Sequence, residues 1–195
     1  MTKKIFIWIA HPKAGSLCES IGRSYQTGAL REGAEVRVMK LNEMTFDMDS
    51  FEGYNDHMPP LEPDLKAWQD NIAWADHILI VHPYWWATMP YKAKAVLDRA
   101  LLSGFAYKYH AKGVSWDKLL TGKTADAIIT SDTPPLIDTL LYGRPGRRVM
   151  KNQILGFCGI KAKKVIQFGS VKTAPEKKIT KWLNHSVRMG ETAAK

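Results

Sequence analysis

The chain has 195 residues, 45% of them hydrophobic and 24% charged, which is the composition of a soluble globular protein and excludes disorder as the default. That length suits one domain with a substantial core, so we expect a single domain over 1–195. Two cysteines, Cys18 and Cys158, provide no disulfide framework, and the formal charge of +9 fits either an anionic partner or a solvated basic surface.

Apolar runs of strand length alternate with segments of helical periodicity along the chain. The predicted strands are 4–10, 34–41, 77–82, 124–130 and 163–169. The predicted helices cover 17–31, the segment marked by Leu65, Trp68 and Ile72, the segment from Met89 to Ala100, about 146–158, and about 175–188. Ser16, with Glu19 three residues later, predicts the N-cap of the first helix. The stretch 42–63 lacks periodicity and predicts a surface excursion.

The N-terminal apolar run, 5–10, is too short for a signal peptide or a membrane span, which needs about 20 apolar residues. We therefore expect a cytoplasmic protein without membrane insertion. Lysines at 161–164 and 177–178 accompany no nucleic-acid-binding motif, so no nucleic-acid partner is expected. The six histidines lack ligand spacing, and no metal site is predicted.

Strands that alternate with helices predict an α/β fold, a doubly wound five-stranded parallel sheet with helices on both faces. The order 2-1-3-4-5, as in flavodoxin-like folds, is one of two common arrangements. Ligands of such sheets bind at the carboxyl ends of the strands, where the strand order reverses. Three loops, 10–18, 82–90 and 130–135, are therefore the candidate ligand-binding segments.

The first loop, "AHPKAGSLC", has neither the glycine pattern of a dinucleotide site nor that of a P-loop. It does combine His11, Lys13 and Ser16 with the free N–H groups of a helix start, which favour a phosphate. The alternative is an ordinary strand–helix turn with a capping serine.

The second loop, "VHPYWWATMP", places Tyr84, Trp85 and Trp86 after a buried strand, between Pro83 and Pro90. These aromatic side chains are suited to walling a flat ring, or alternatively to packing under a loop or at a subunit interface. The third loop contributes hydroxyl and backbone groups for the edge of such a ring, or forms a capped turn. Its candidate residues are Thr130, Ser131, Asp132 and Thr133. Together the three loops predict a mononucleotide site of the kind that holds FMN in flavodoxin-type folds.

At these residues the chain resembles the DT-diaphorase-like NAD(P)H:quinone oxidoreductases of flavodoxin-like fold, in their bacterial branch. The similar segments are "AHPKAGSLCESI", "HPYWWATMPYKAKAVLDRALLSGFAYKY" and "FCGIK". The resemblance implies a two-electron, ping-pong flavin oxidoreductase that takes a hydride from NAD(P)H and reduces a quinone or a related acceptor. It implies FMN as cofactor, with FAD as the alternative, and a homodimer.

Carried over by position, the resemblance assigns phosphate and ribityl contacts to His11, Ser16, Leu17 and Cys18, and the ring wall to Pro83, Tyr84, Trp85 and Trp86. It assigns the substrate pocket, shared across a dimer, to Tyr107, Tyr109 and Phe157, and a catalytic role to Tyr142. The segment "SDTPP" replaces the loop of the DT-diaphorase members. Arg144, Arg147 and Arg148 fit either phosphates of NAD(P)H or a solvated turn.

Two other functions remain open at this stage. The first is that of a flavodoxin-type electron carrier, although such carriers usually present an acidic face and this chain is basic. The second is that of an ancillary flavoprotein subunit of a potassium-efflux system, a role that some relatives have.

Overall fold

The computed structural model describes residues 2–48, 53 and 60–195. The strands along this part of the chain are β1 (Lys4–Ile9), β2 (Glu35–Lys40), β3 (His77–Pro83), β4 (Tyr107–Tyr109), β5 (Trp116–Lys118), β6 (Thr124–Thr130) and β7 (Lys161–Phe168). The helices are α1 (Leu17–Arg31), α2 (Pro63–Trp74), α3 (Tyr91–Ala100), α4 (Pro135–Leu140), α5 (Pro145–Arg148), a π-helical segment (Val149–Leu155), α6 (Gly156–Cys158) and α7 (Glu176–Ala194).

The five long strands form one parallel sheet of order β2-β1-β3-β6-β7. This arrangement confirms the predicted sheet, whose order 2-1-3-4-5 did not count the two short strands between β3 and β6. Those strands, β4 and β5, pair with each other as an antiparallel hairpin. A register shift at Ala125/Asp126 interrupts the pairing of β6 with β7.

The sheet is buried on both faces because alternate side chains of β1 point into two separate cores. Phe6 and Trp8 pack with α2 and α3, whereas Ile5, Ile7 and Ile9 pack with α1 and α7. A strand that is covered on both sides must be apolar at every position, and this explains the unbroken run "IFIWI".

Helices α1 and α7 cross so closely that neither has room for a side chain at the crossing. A Cβ added to Gly28 would lie 2.8 Å from the carbonyl carbon of Val187, and one added to Gly190 would lie 2.9 Å from the backbone N of Ala29. Both distances are below van der Waals contact, so the two glycines permit this packing.

Several predicted boundaries differ from the structure. The helix expected at 146–158 is helical from Pro145 to Cys158, but Val149–Leu155 has π-helical hydrogen bonding. Helix α4 and the β4–β5 hairpin were not predicted. The surface excursion expected at 42–63 includes a 3-10 turn at Leu41–Glu43, while 49–52 and 54–59 lie outside the described residues. Among the helices of the described residues, none is long and apolar enough to cross a membrane.

Candidate functional site

A cleft of about 390 Å³ opens at the carboxyl edge of the sheet, where β1, β3 and β6 end. It brings together most of the side chains predicted for cofactor binding: His11, Lys13, Ser16, Leu17, Cys18, Pro83, Tyr84, Trp85, Thr130, Ser131 and Asp132. Gly15 and Val171 complete its lining. Val171 was not predicted, although it follows β7 and the carboxyl ends of parallel strands share one edge.

The first loop is organised by the start of α1. Ser16 caps the helix, since its Oγ accepts a hydrogen bond from the N–H of Glu19 at 3.3 Å. The Glu19 carboxylate accepts from the Gly15 N–H at 2.8 Å, one residue before the position expected in a capping box. This N–H and then Arg23 lower the pKa of Glu19 to about 2, and Lys40 lies 3.3 Å from the same carboxylate.

Donor groups of this loop remain available to a ligand. Within the described residues, the backbone N–H groups of Ser16 and Leu17 have no acceptor. The N–H of Lys13 donates to His11 Nδ1 at 3.0 Å, so this arrangement leaves the proton of a neutral His11 on Nε2. Burial lowers the pKa of His11, and its ring meets Trp85 edge-on at 5.7 Å between centroids.

Cys18 is buried where the first loop meets β6. Its Sγ lies 3.3 Å from Thr130 Oγ1, and burial raises the pKa of the thiol to about 12. The cysteine is therefore a neutral, compact wall group rather than a nucleophile.

The second loop is a two-residue turn that presents Trp85. Trp85 and Thr88 exchange both backbone hydrogen bonds, at 2.9 and 3.0 Å. The two residues between them, Trp86 and Ala87, have φ of 51° and 62°. Positive φ at both positions is the signature of a type I′ turn, which normally uses Asn and Gly. Each non-glycine residue in this conformation costs about 1–2 kcal/mol.

This turn sends the two tryptophans to different places. Trp85 lines the cleft and is 43% exposed, whereas Trp86 lies outside the lining and is 98% exposed. The sequence predicts the same role for both tryptophans, because the chain reversal at Trp86 and Ala87 depends on positive φ values that these residue types do not indicate.

Tyr84 is held by a group of residues that sequence reasoning missed. Its hydroxyl donates to the buried Asp138 carboxylate at 3.4 Å and accepts from the Gly146 N–H at 3.0 Å. Arg147 Nη2 in turn lies 3.0 Å from the other Asp138 oxygen. Burial raises the pKa of Tyr84, so the hydroxyl stays protonated. Asp138 lies in α4, which was not predicted, whereas Gly146 and Arg147 lie in α5, at the start of the helix expected at 146–158.

The third loop is fixed by bonds to its neighbours. The Ser131 N–H donates to the Phe168 carbonyl at 2.9 Å, and Asp132 Oδ1 accepts from the Lys172 N–H at 2.8 Å. Thr133 lies outside the lining of the cleft. In the part of the chain that is described, the N–H groups of Asp132 and Thr133 have no acceptor.

The residues predicted for a substrate pocket lie elsewhere. Tyr107 and Phe157 line a separate pocket of about 310 Å³, with their rings 5.0 Å apart, and Tyr109 packs edge-on against Tyr107 at 5.2 Å. Burial raises the pKa of Tyr107. Tyr142 lies outside the cleft lining and is 59% exposed, next to Pro145 and Arg148.

Comparison with known proteins agrees with this architecture. An "Uncharacterized NAD(P)H oxidoreductase" of Haemophilus influenzae is 26% identical over 174 residues, which cover 88% of this chain and 86% of that protein. The NAD(P)H:quinone oxidoreductase of Methanothermobacter marburgensis is 21% identical with a TM-score of 0.83, covering 98% of each chain. The FMN-dependent NADH-azoreductase of Bacillus anthracis, solved with FMN, is 15% identical with a TM-score of 0.70 and full coverage of both chains. Residues 3–188 match the model of the family described as having the flavodoxin-like fold, and the chain belongs to that family.

Proposed function

We propose that this protein is a flavin-dependent NAD(P)H oxidoreductase that binds FMN in the cleft and reduces a quinone or a related acceptor. The observation that carries the proposal is the convergence of three loops on one cleft, with free N–H donors at the start of α1 and aromatic side chains at the end of β3. The similarity to proteins named NAD(P)H oxidoreductases supports it.

The start of α1 fits the phosphate of FMN. The N–H groups of Ser16 and Leu17 and the Nε2–H of His11 are donors, Lys13 adds a positive charge, and the helix dipole favours an anion. Two carboxylates oppose an anion in the cleft: Asp132, which lies in its lining and accepts from the Lys172 N–H, and Glu19 beside the start of α1. The Glu19 carboxylate is bound to the Gly15 N–H and paired with Arg23 and Lys40.

The other end of the cleft fits a flat ring. Pro83, Tyr84 and Trp85 provide a wall, and the free N–H groups of Asp132 and Thr133 lie on the loop after β6. N–H donors there would stabilise negative charge on the polar edge of a reduced ring. The neutral Cys18 thiol adds no negative charge of its own to the cleft.

FMN, when bound, would accept a hydride from NAD(P)H and pass two electrons to the acceptor in a ping-pong cycle. The chain's own contribution is to orient the ring and to shield one side of it from water. The choice of FMN over FAD is supported by the FMN complex of the Bacillus anthracis structural neighbour.

A homodimer is part of the proposal. Large apolar side chains are exposed in two segments that adjoin the cleft: Trp85, Trp86, Tyr91, Leu136, Ile137, Leu140, Leu141, Tyr142 and Val149. Burying them against a second copy would remove an apolar surface from water. The family resemblance implies that Tyr107, Tyr109 and Phe157 of one copy would then help to form the substrate pocket of the other. Sedimentation velocity tests this: a monomer at micromolar concentration contradicts it.

The visible absorption spectrum of the purified protein tests the cofactor. We expect the bands of an oxidised flavin, lost with NADH or NADPH under anaerobic conditions and restored by a quinone, with FMN identified by chromatography. A colourless protein that cannot be reconstituted with FMN or FAD would refute the proposal.

The two tryptophans form a matched pair of variants for the same question. Trp85→Ala removes a wall of the cleft and should weaken FMN binding by about 5- to 150-fold, the range expected for loss of a stacking contact of 1–3 kcal/mol. Trp86→Ala removes an identical side chain that lies outside the lining and should leave FMN affinity unchanged. Equal effects of the two substitutions would contradict the proposed position of the ring.

A further inference from the structure

A second concave site, away from the cleft, lies between the edge strand β7 and the helical segment 145–158. It has a volume of about 350 Å³ and is lined by Arg144, Arg147, Arg148, Lys151, Asn152, Ala162, Lys163 and Val165. Five of these eight residues are cationic, and we call the site the basic pocket.

The positions of its helical residues explain why they converge. Arg144 directly precedes α5, Arg147 and Arg148 end it, and Lys151 and Asn152 follow in the π-helical segment. Met150 and Leu155 of the same helical segment are buried in the core. Strand β7 adds Lys163 to the basic pocket.

The charges of the basic pocket are largely uncompensated. Arg147 pairs with Asp138, but no ion pair within the described residues involves Arg144, Arg148, Lys151 or Lys163. Five cations less one carboxylate leave a local charge of +4. The buried Nε–H of Arg147 also has no hydrogen-bond acceptor among the described groups.

Like charges gathered in a concave site repel one another and raise the local concentration of anions. The volume falls within the range of small-ligand sites. Only Ala162 and Val165 offer aliphatic walls, so the lining suits a hydrated polyanion rather than a flat apolar ring. Arginine forks and an asparagine amide are donors that match phosphate oxygens.

We propose that the basic pocket binds a small molecule that carries a pyrophosphate or two separate phosphates. A hydrogen-bonded path leads from it to the cleft, because Arg147 holds Asp138 and Asp138 accepts from the Tyr84 hydroxyl. The binding itself goes beyond the proposed function and does not require a flavin.

Calorimetric titration with inorganic pyrophosphate tests this proposal on the intact protein. The test variant Arg148→Gln/Lys151→Gln/Lys163→Gln removes three exposed cations from the pocket. The control variant Lys177→Gln/Lys181→Gln/Arg188→Gln removes the same number of arginines and lysines from exposed positions of α7. We expect the Kd for pyrophosphate to rise about tenfold or more in the test variant and less than about threefold in the control.

Two supporting outcomes distinguish the source of the phosphates. If they belong to the hydride donor, pyrophosphate competes with NAD(P)H and the test variant has a raised KM for NAD(P)H. If they belong to a separate phosphorylated ligand, pyrophosphate binds without competing and the KM is unchanged. The proposal is overturned if the wild type does not bind pyrophosphate, or if the test variant and the control bind it equally. Because calorimetry needs no turnover, this failure is separate from failure of the proposed function.

Discussion

Substitution of Gly146 by alanine tests how tightly the wall of the cleft is positioned. An added Cβ would lie 3.0 Å from Cζ and 3.1 Å from Cδ2 of the Tyr84 ring, and closer still to Cε2. Favourable carbon contacts begin near 3.5 Å, so the ring must move by more than about 0.5 Å. The backbone at Gly146 does not have a positive φ, and the effect is therefore steric.

Two measurable losses follow from that displacement. Overpacking of this kind lowers the free energy of unfolding by about 1–3 kcal/mol, measured by urea denaturation. The displaced Tyr84 ring no longer forms the same wall, and its 3.0 Å bond from the Gly146 N–H is lost as well. We expect the Kd for FMN to rise at least about fivefold, which corresponds to about 1 kcal/mol.

Tyr84→Phe is the control, because it keeps the ring and removes only the hydroxyl. It should lower the free energy of unfolding by about 1 kcal/mol and leave FMN affinity nearly unchanged. A Gly146→Ala variant whose free energy of unfolding lies within about 0.5 kcal/mol of the wild type, and whose Kd for FMN is the same, would contradict a close contact between Gly146 and the Tyr84 ring.

Two further predictions concern parts of the fold away from the ring wall. Gly28→Ala should lower the free energy of unfolding, measured in urea, by about 1–3 kcal/mol, because a Cβ there would lie 2.8 Å from the carbonyl carbon of Val187. An unchanged free energy of unfolding would disprove the close crossing of α1 and α7. The pKa of Glu19 is about 2 in the folded protein, below its ordinary value of 4.5. The carboxylate of Glu19 therefore stabilises the fold above pH 4.5, and this stabilisation is lost as the pH falls from 4.5 to about 2. Glu19→Gln should flatten the pH dependence of unfolding over that window, and a variant as acid-sensitive as the wild type would contradict the assignment.

The sheet was predictable because the residues of its strands are themselves typical of buried parallel strands. The runs "IFIWI" and "ILIV" are apolar at every position, which requires cover on both faces, and helical periodicity between them leaves few topologies. Ser16 was recognised as a cap from its residue type and its distance to Glu19. The β4–β5 hairpin escaped notice because strands of three residues are too short to show alternation.

The candidate site was predictable in outline and not in detail. The carboxyl-edge rule selected the three loops, and they line one cleft. Their role in binding a flavin stays a prediction. Asp138 and Gly146 were missed because their contacts with Tyr84 join segments more than fifty residues apart along the chain. Arg147 looked like part of a solvated turn, yet it forms an ion pair with a carboxylate that is 1% exposed.

The turn at Trp86 and Ala87 has a consequence for laboratory evolution. Glycine at either position would relieve an unfavourable φ, so selection for heat resistance alone will tend to collect glycines there. Glycine there would also stabilise the turn whose paired backbone bonds present Trp85 to the cleft. Lineages selected in this way would gain thermal tolerance while Trp85 keeps its position, and the gain would be traceable to two adjacent codons.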